Sequence, residues 1–279
     1  MNNLKKIGLT ALAGALVSFS ANAAELTVTG GASIGFTGEE KQNTGNGWSM
    51  NDGLTFAATT ELDNGWNVTA KQIIDSSDGT AGVIMDTRVL TVDMGDNGTL
   101  TFSGTGGSSV LNAIDDVTPT AYEESWDIVT GADTIVGGTG GDNMFHYKNS
   151  SLVDGVSLAV SYTPSNLATV IESSADYGIT YTGIDGLTLG LAGGENNSAA
   201  ATVDITNMYI KYTMDAFTVG YQANESDSET AHADLDFNAM GVSYAVTEAT
   251  SVSVNRSTVE YENSSLNDQE ATGLSVSHV

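Results

Sequence analysis

Residues 54–73 read LTFAATTELDNGWNVTAKQI. Leu54, Phe56, Ala58 and Leu62 share one parity, and Thr55, Ala57, Thr59 and Glu61 the other. After Asp63-Asn64-Gly65 the alternation resumes, with Trp66, Val68 and Ala70 set against Asn67, Thr69 and Lys71. A period of two predicts strands, and Asn-Gly between two such runs predicts a tight hairpin. Each strand is apolar on one side and small or polar on the other. In a soluble sandwich the apolar side would meet a protein core and the polar side bulk water. In a membrane barrel the apolar side would meet lipid and the polar side a water-filled pore.

The same pattern recurs along the chain. Val156, Leu158, Val160 and Tyr162 stand opposite Ser157, Ala159 and Ser161; Leu187, Leu189 and Leu191 stand opposite Thr188, Gly190 and Ala192. About fourteen strands are predicted, at 25–37, 54–62, 66–75, 83–93, 99–103, 142–148, 156–163, 176–182, 187–193, 203–213, 217–223, 234–245, 250–258 and 271–279. In the twelfth, apolar parity switches between Phe237 and Val242.

The connections alternate in length. Short ones carry turn chemistry: Asp63-Asn64-Gly65, Gly95-Asp96-Asn97-Gly98, Leu152-Val153-Asp154-Gly155, Gly183-Ile184-Asp185-Gly186 and Met214-Asp215-Ala216. Long, polar, acidic ones are expected at 38–53, 76–82, 104–141, 164–175, 194–202, 224–233 and 259–270. An up-and-down meander gives this alternation when one end has trimmed turns and the other elaborated loops, the asymmetry of outer-membrane barrels. Trp66, Tyr162, Tyr212, Phe217 and Tyr221 lie on the apolar parity near strand ends, as a girdle at a membrane–water boundary would require.

Composition narrows the partners. The first residues, MNNLKKIGLTALAGALVSFSANAAE, have Lys5 and Lys6, an apolar stretch from Ile7 to Phe19, and Ala21-Asn22-Ala23. They predict a secretory signal peptide over 1–23, too short in its apolar part to span a bilayer. The formal net charge is −27; without Lys5 and Lys6, six bases face 35 acids, a net charge of −29. Nucleic-acid binding needs a basic footprint, which is missing, so cations are the expected company of the chain. Cysteine is absent and proline occurs only at Pro119 and Pro164, both in expected loops.

No catalytic or cofactor constellation emerges. His146, His232 and His278 lack metal-ligand spacing, and no Ser, His and acid pattern suggests a hydrolase. Gly137-Gly138-Thr139-Gly140-Gly141-Asp142 resembles one calcium-binding β-helix nonapeptide but is unrepeated, and reads as a loop end. No enzyme activity, metal or cofactor is expected.

Taken together, the leader, the first strand ELTVTGGASIGFTG, the hairpin LTFAATTELDNGWNVTA, the strand pair around MGDNGTLTFSG and the long insert after it resemble a Gram-negative general porin of the acidic α-proteobacterial type. The resemblance spans essentially the whole chain. It implies a 16-stranded transmembrane antiparallel up-and-down β-barrel, usually trimeric, in the outer-membrane lipid. Such a barrel passes small hydrophilic solutes and ions by passive diffusion. It also implies that the third external loop, here 104–141, folds into the barrel and narrows the pore. That loop carries Asp115, Asp116, Glu123, Glu124, Asp127 and Asp133 and no base. Acids there would favour cations, and family pores commonly oppose them with wall bases. Lys71, Lys148 and Lys211 have the polar parity for this, whereas Arg88 shares parity with Leu90 and Val92 and is expected near a strand end or at a bulge. Porins of this type end on an aromatic residue, while this chain ends Leu274-Ser275-Val276-Ser277-His278-Val279. The expectation is therefore a C-terminally truncated barrel domain over 24–279 with about fourteen strands; a true fourteen-stranded barrel is the alternative. The rival functions are a secreted or surface structural β protein, such as an adhesin or lattice subunit, and a soluble periplasmic β-sandwich.

Overall fold

A computed structural model describes residues 25–36, 48–76, 83–122, 124–126, 141–165, 173–197, 201–263 and 265–278. The predicted leader, Glu123, Asp127 and Asp133 lie outside them. Among the described residues fourteen strands form one sheet: β1 (Glu25–Phe36), β2 (Trp48–Glu61), β3 (Asn67–Ser76), β4 (Val83–Asp93), β5 (Thr99–Thr105), β6 (Met144–Val153), β7 (Val156–Thr163), β8 (Ser174–Ile184), β9 (Leu187–Asn197), β10 (Thr202–Met214), β11 (Phe217–Ser228), β12 (Leu235–Thr247), β13 (Thr250–Tyr261) and β14 (Gln269–His278). Their order in the sheet is their order in the chain, and the paired neighbours are antiparallel. Among the described residues β1 pairs only with β2, and β14 only with β13.

The short connections fall at one end. Gly65 takes φ 82°, the left-handed conformation that the Asn64-Gly65 hairpin needs and that only glycine adopts without cost. The long connections fall at the other end. There the strands run further than apolar alternation predicts: β2 begins at Trp48, β11 continues to Ser228 and β13 to Tyr261. In these extensions the face that is apolar lower down becomes acidic. Asp204 stands opposite both Glu195 and Asp227, and Asp236 opposite both Glu225 and Glu260. Backbone pairing needs no apolar residue, so the ladder persists where hydropathy stops reporting it.

The two faces separate cleanly. Leu189, Leu191, Met208, Ile210, Phe217, Val219, Met240 and Val242 are exposed on the outward face, with no second layer of protein over them. A soluble sandwich core is thereby excluded for this face. Phe217 and Tyr244 lie with ring centroids 4.4 Å apart beside the 214–216 turn, and Tyr212 and Tyr162 are also exposed on this side. Tyr221 is half-buried and donates its hydroxyl to Asn238 Oδ1 at 2.6 Å.

The parity change in β12 is not a slip. The β11–β12 ladder keeps continuous register from Phe217↔Tyr244 to Ser226↔Leu235, so Phe237 points inward while Val242 points outward. The irregularity in this region lies between Ala245 and Thr247, on the β13 side. Phe237 is fully buried because the connection after β5 packs against it.

Candidate functional site: the lumen and its inserted segment

The connection from β5 to β6 is pinched at its base, where Gly107 N donates to Gly141 O at 3.1 Å. From there residues 109–122 and 124–126 lie across the concave inner face of the sheet from β7 to β14. The crossing opens with a compact turn: Ala113 N donates to Ser109 O at 3.0 Å and Asn112 N to Ser109 Oγ at 3.2 Å. This turn buries Val110, Leu111 and Ile114 against Ala192 and Ile205, with Tyr209 and Ala159 at the margin. Burial of aliphatic side chains at about 25 cal/mol per Å² drives the docking, and wall hydrogen bonds fix its register. Val110 N donates to Ser161 Oγ at 3.0 Å, Ser161 Oγ to Asp176 Oδ2 at 3.2 Å, and Asn207 Nδ2 to Leu111 O at 3.3 Å.

The next stretch holds the acids. Gln222, fully buried, accepts from Val117 N at 2.9 Å and from Thr118 Oγ1 at 2.6 Å, and its amide donates to Asp115 O. Asn224 Nδ2 donates to the same carbonyl at 3.0 Å. Pro119 then lies flat on the wall: a Cβ at Gly220 would fall 2.6 Å from its Cδ, and one at Gly241 2.5 Å from its carbonyl oxygen. Only glycine at both positions permits this approach. Ala121 N donates to Ser253 Oγ at 2.8 Å, Tyr122 N to Ser275 Oγ at 3.3 Å, and Ser125 Oγ to Ser257 Oγ at 2.9 Å. Trp126 closes the run edge-on against Phe237, ring centroids 5.2 Å apart, with Ala239 and Val259 completing the cluster.

This places the sequence-predicted residues. Asp115 and Asp116 are adjacent, the first half-buried and the second exposed; Glu124 is half-buried. Burial, with the neighbouring Asp116 charge, raises the Asp115 carboxyl to about 7. Lys71 is exposed on β3 between Ala57 and Val89. Its face is that of Thr59 and Thr69, whose hydroxyls meet at 3.0 Å across the β2–β3 ladder. Lys148 is exposed on the inner face of β6 beside His146, and Lys211 is half-buried on β10. Arg88 stands at a register shift of the β4–β5 ladder, its guanidinium 3.5 Å from Gly104 O. The bases thus stand on β3, β4, β6 and β10, whereas the described acids predicted for the constriction share one segment.

The anchoring set, Ser161, Asp176, Asn207, Gln222, Asn224, Ser253, Ser257 and Ser275, was not singled out from the sequence. A signal was present: long amides sit at the inward parity of adjacent strands, where small hydroxyls would suffice to line water.

A curled antiparallel meander, apolar outside and polar inside, with one long connection folded onto its inner wall, is the geometry of a pore. The sequence profile of a family described as Gram-negative porin matches residues 8–279. The chain belongs to the Gram-negative porins. Solved structures with the same fold include OmpF of Salmonella typhi in complex with daunomycin, at 12% identity and a TM-score of 0.67 over 90% of this chain and 85% of that one. An anion-selective porin from Comamonas acidovorans matches at 14% identity and a TM-score of 0.65, over 90% and 84% of the two chains. In-vitro folded OmpT of Vibrio cholerae matches at 13% identity and a TM-score of 0.63, over 92% and 82%. No curated protein sequence matches the chain. At these identities the likeness shows the fold, a transmembrane β-barrel with the strands crossing the membrane; the porin family places the chain in the outer membrane as a pore.

Proposed function

We propose that this porin is a passive diffusion channel for small hydrophilic solutes that prefers cations, and that it assembles as a homotrimer after removal of residues 1–23. A porin of the same fold is described as anion-selective, so the fold leaves the sign of the preferred ion open and the side chains must set it. The observation that carries the reading is the fixed position of Asp115 and Asp116 on the inner wall, held through Gln222 and Asn224. Glu124 extends the acidic run, and Glu123 and Asp127, outside the described residues, belong to the same stretch of sequence. A narrow aqueous ring of carboxylates attracts cations and repels anions. Lys71 and Lys148, with Arg88 at the β4–β5 edge, supply the opposing charge on other walls, so that a solute crosses a transverse field rather than a uniformly acidic tube. The selectivity weakens with salt, because the Debye length is about 10 Å at 0.1 M.

The test is the reversal potential of purified protein in planar bilayers under a KCl gradient. The expected sign is that of potassium over chloride, and the paired change Asp115→Asn with Asp116→Asn moves it toward zero. An unchanged potential removes these residues from the argument. Chloride preference in the native chain overturns the reading.

A further inference from the structure

Beneath the inserted segment, on its short-turn side, is a recess of about 730 Å³ between that segment and the inner faces of β6 to β10. This is a volume typical of small-molecule sites, and it has a roof, two sides and a floor. The roof is apolar: Val110, Ala113 and Ile114 line it from above. The hydrogen bonds from Val110 N to Ser161 and from Asn207 to Leu111 O hold that roof in place. One side is Tyr209, whose ring lies over Gly190 so closely that a Cβ there would fall 2.0 Å from Cε1. The other side is basic, with His146 and Lys148 projecting from the same face of β6. The floor is cut from small residues of β7 and β8, which is why the space exists.

Lys148 is the telling group. The chain carries 35 acids against 8 bases, yet among the described residues the ion pairs are Arg256 with Glu270 at 2.6 Å and His232 with Glu262 at 3.8 Å. No described acid pairs with Lys148. Asp154 also lines the recess, but from the turn at its outer end. An ammonium with no acidic partner among the described residues, beside an imidazole and under an aliphatic roof, is complementary to one negative charge carried on a short hydrocarbon body. A phosphate, with two charges and three oxygens, would call for a fork of arginines, and a bare inorganic anion would gain nothing from the roof.

We infer that this recess binds short-chain monocarboxylates, the head group on Lys148 and the hydrocarbon body against Val110, Ile114 and Tyr209. Solute taken up in this way waits beside the constriction instead of crossing by unaided diffusion. The site lies on the β6–β10 wall and uses none of Asp115, Asp116 or Glu124; it shares Lys148 with the opposing charge proposed above, so hexanoate block and ion preference are read as separate measurements.

The experiment is single-channel recording of the full chain in KCl, adding sodium hexanoate against equal sodium chloride, sodium acetate or neutral hexanol. Expected is a saturable fall in current with hexanoate, weaker with acetate and absent with hexanol. Lys148→Gln raises the half-blocking concentration about tenfold, as loss of one charge-assisted contact should. Ile114→Ser weakens hexanoate and leaves acetate as it was. Absence of saturable block in a native chain that conducts KCl overturns the proposal while leaving the pore intact. So does equal block by acetate and hexanoate, or block that Lys148→Gln leaves unchanged. Should Lys148→Gln yield no channels, the hexanoate–acetate difference in the native chain and its loss in Ile114→Ser decide the matter.

Discussion

The walls built by β2–β5 and by β7–β14 look alike in alternation and differ in what their inner faces do. On β2–β5 the inward threonines meet one another, Thr59 with Thr69 at 3.0 Å and Thr91 with Thr101 at 3.4 Å. On β7–β14 the inward positions are longer or more strongly hydrogen-bonding. Asp176, Asn207, Gln222, Asn224, Ser253, Asn255, Ser257 and Ser275 are buried, and most of them reach the backbone or hydroxyls of residues 109–126. One wall is lined for water, whereas the other is a rail on which a segment without regular secondary structure is laid. A buried amide or hydroxyl without a partner costs about 1–3 kcal/mol. The rail therefore specifies one position for the segment, and with it one position for the acids.

Breaking the rail should cost far more than altering the bare wall. The largest effect is expected for Trp126→Ala, which empties the space against fully buried Phe237. Deleting a buried aromatic costs about 3–5 kcal/mol, read as a lower urea midpoint in detergent, with flickering of the open channel as the segment's end comes loose. Next is Gln222→Ala, which strands Val117 N and the Thr118 hydroxyl and leaves Asp115 O to Asn224 alone. At about 1–3 kcal/mol for each stranded group, this substitution too should lower the urea midpoint and raise current noise. It should also shift the reversal potential although no charge is removed. Thr69→Ala on the bare wall should stay within about 0.5 kcal/mol of the native chain, with the same selectivity. If Thr69→Ala and Gln222→Ala behave alike, the distinction between the walls falls.

A further test sharpens the comparison without changing the fold. The Asp115 carboxyl sits at about 7, raised by burial and by Asp116. It is therefore neutral below that pH and charged above it. Cation preference should be greater at pH 8 than at pH 6, falling as pH drops through 7, and Asp115→Asn should flatten this step. The linkage to stability has the opposite sense. Relative to the unfolded chain, the raised value gives a contribution present in full below the ordinary carboxylate pKa and lost as pH rises through 7. Asp115→Asn should accordingly gain stability over the native chain at pH 8 and not at pH 4. A selectivity profile with no midpoint near 7 in the native chain would separate Asp115 from the conduction path.

The strand count and the alternation of short and long connections were legible because backbone pleating imposes a period of two and left-handed turns select Asn and Gly, whereas the inward course of the long connection after β5 was implied by the family resemblance alone. The strand ends were not, since pairing at the loop end continues through carboxylates such as Asp204, Asp227 and Asp236, where no apolar signal remains. Phe237 shows the same limit from the other side. Read along β12 it breaks the alternation; in the folded barrel it is the inward partner of Trp126, 111 positions away in the chain. Arg88 was legible as an exception to its neighbours, and the register shift beside Gly104 is where that exception sits.

The linear chain by itself settled that every strand has an oily and a watery side and that its neighbour in sequence is its neighbour in the sheet, because both follow from alternation and turn length, which are local. Only the three-dimensional arrangement decided which watery positions meet solvent and which meet protein. A serine or asparagine facing inward satisfies its hydrogen bonds equally well with water or with a docked backbone. The choice between them is made by the course of residues 109–126 across eight strands, a long-range contact that no short stretch encodes.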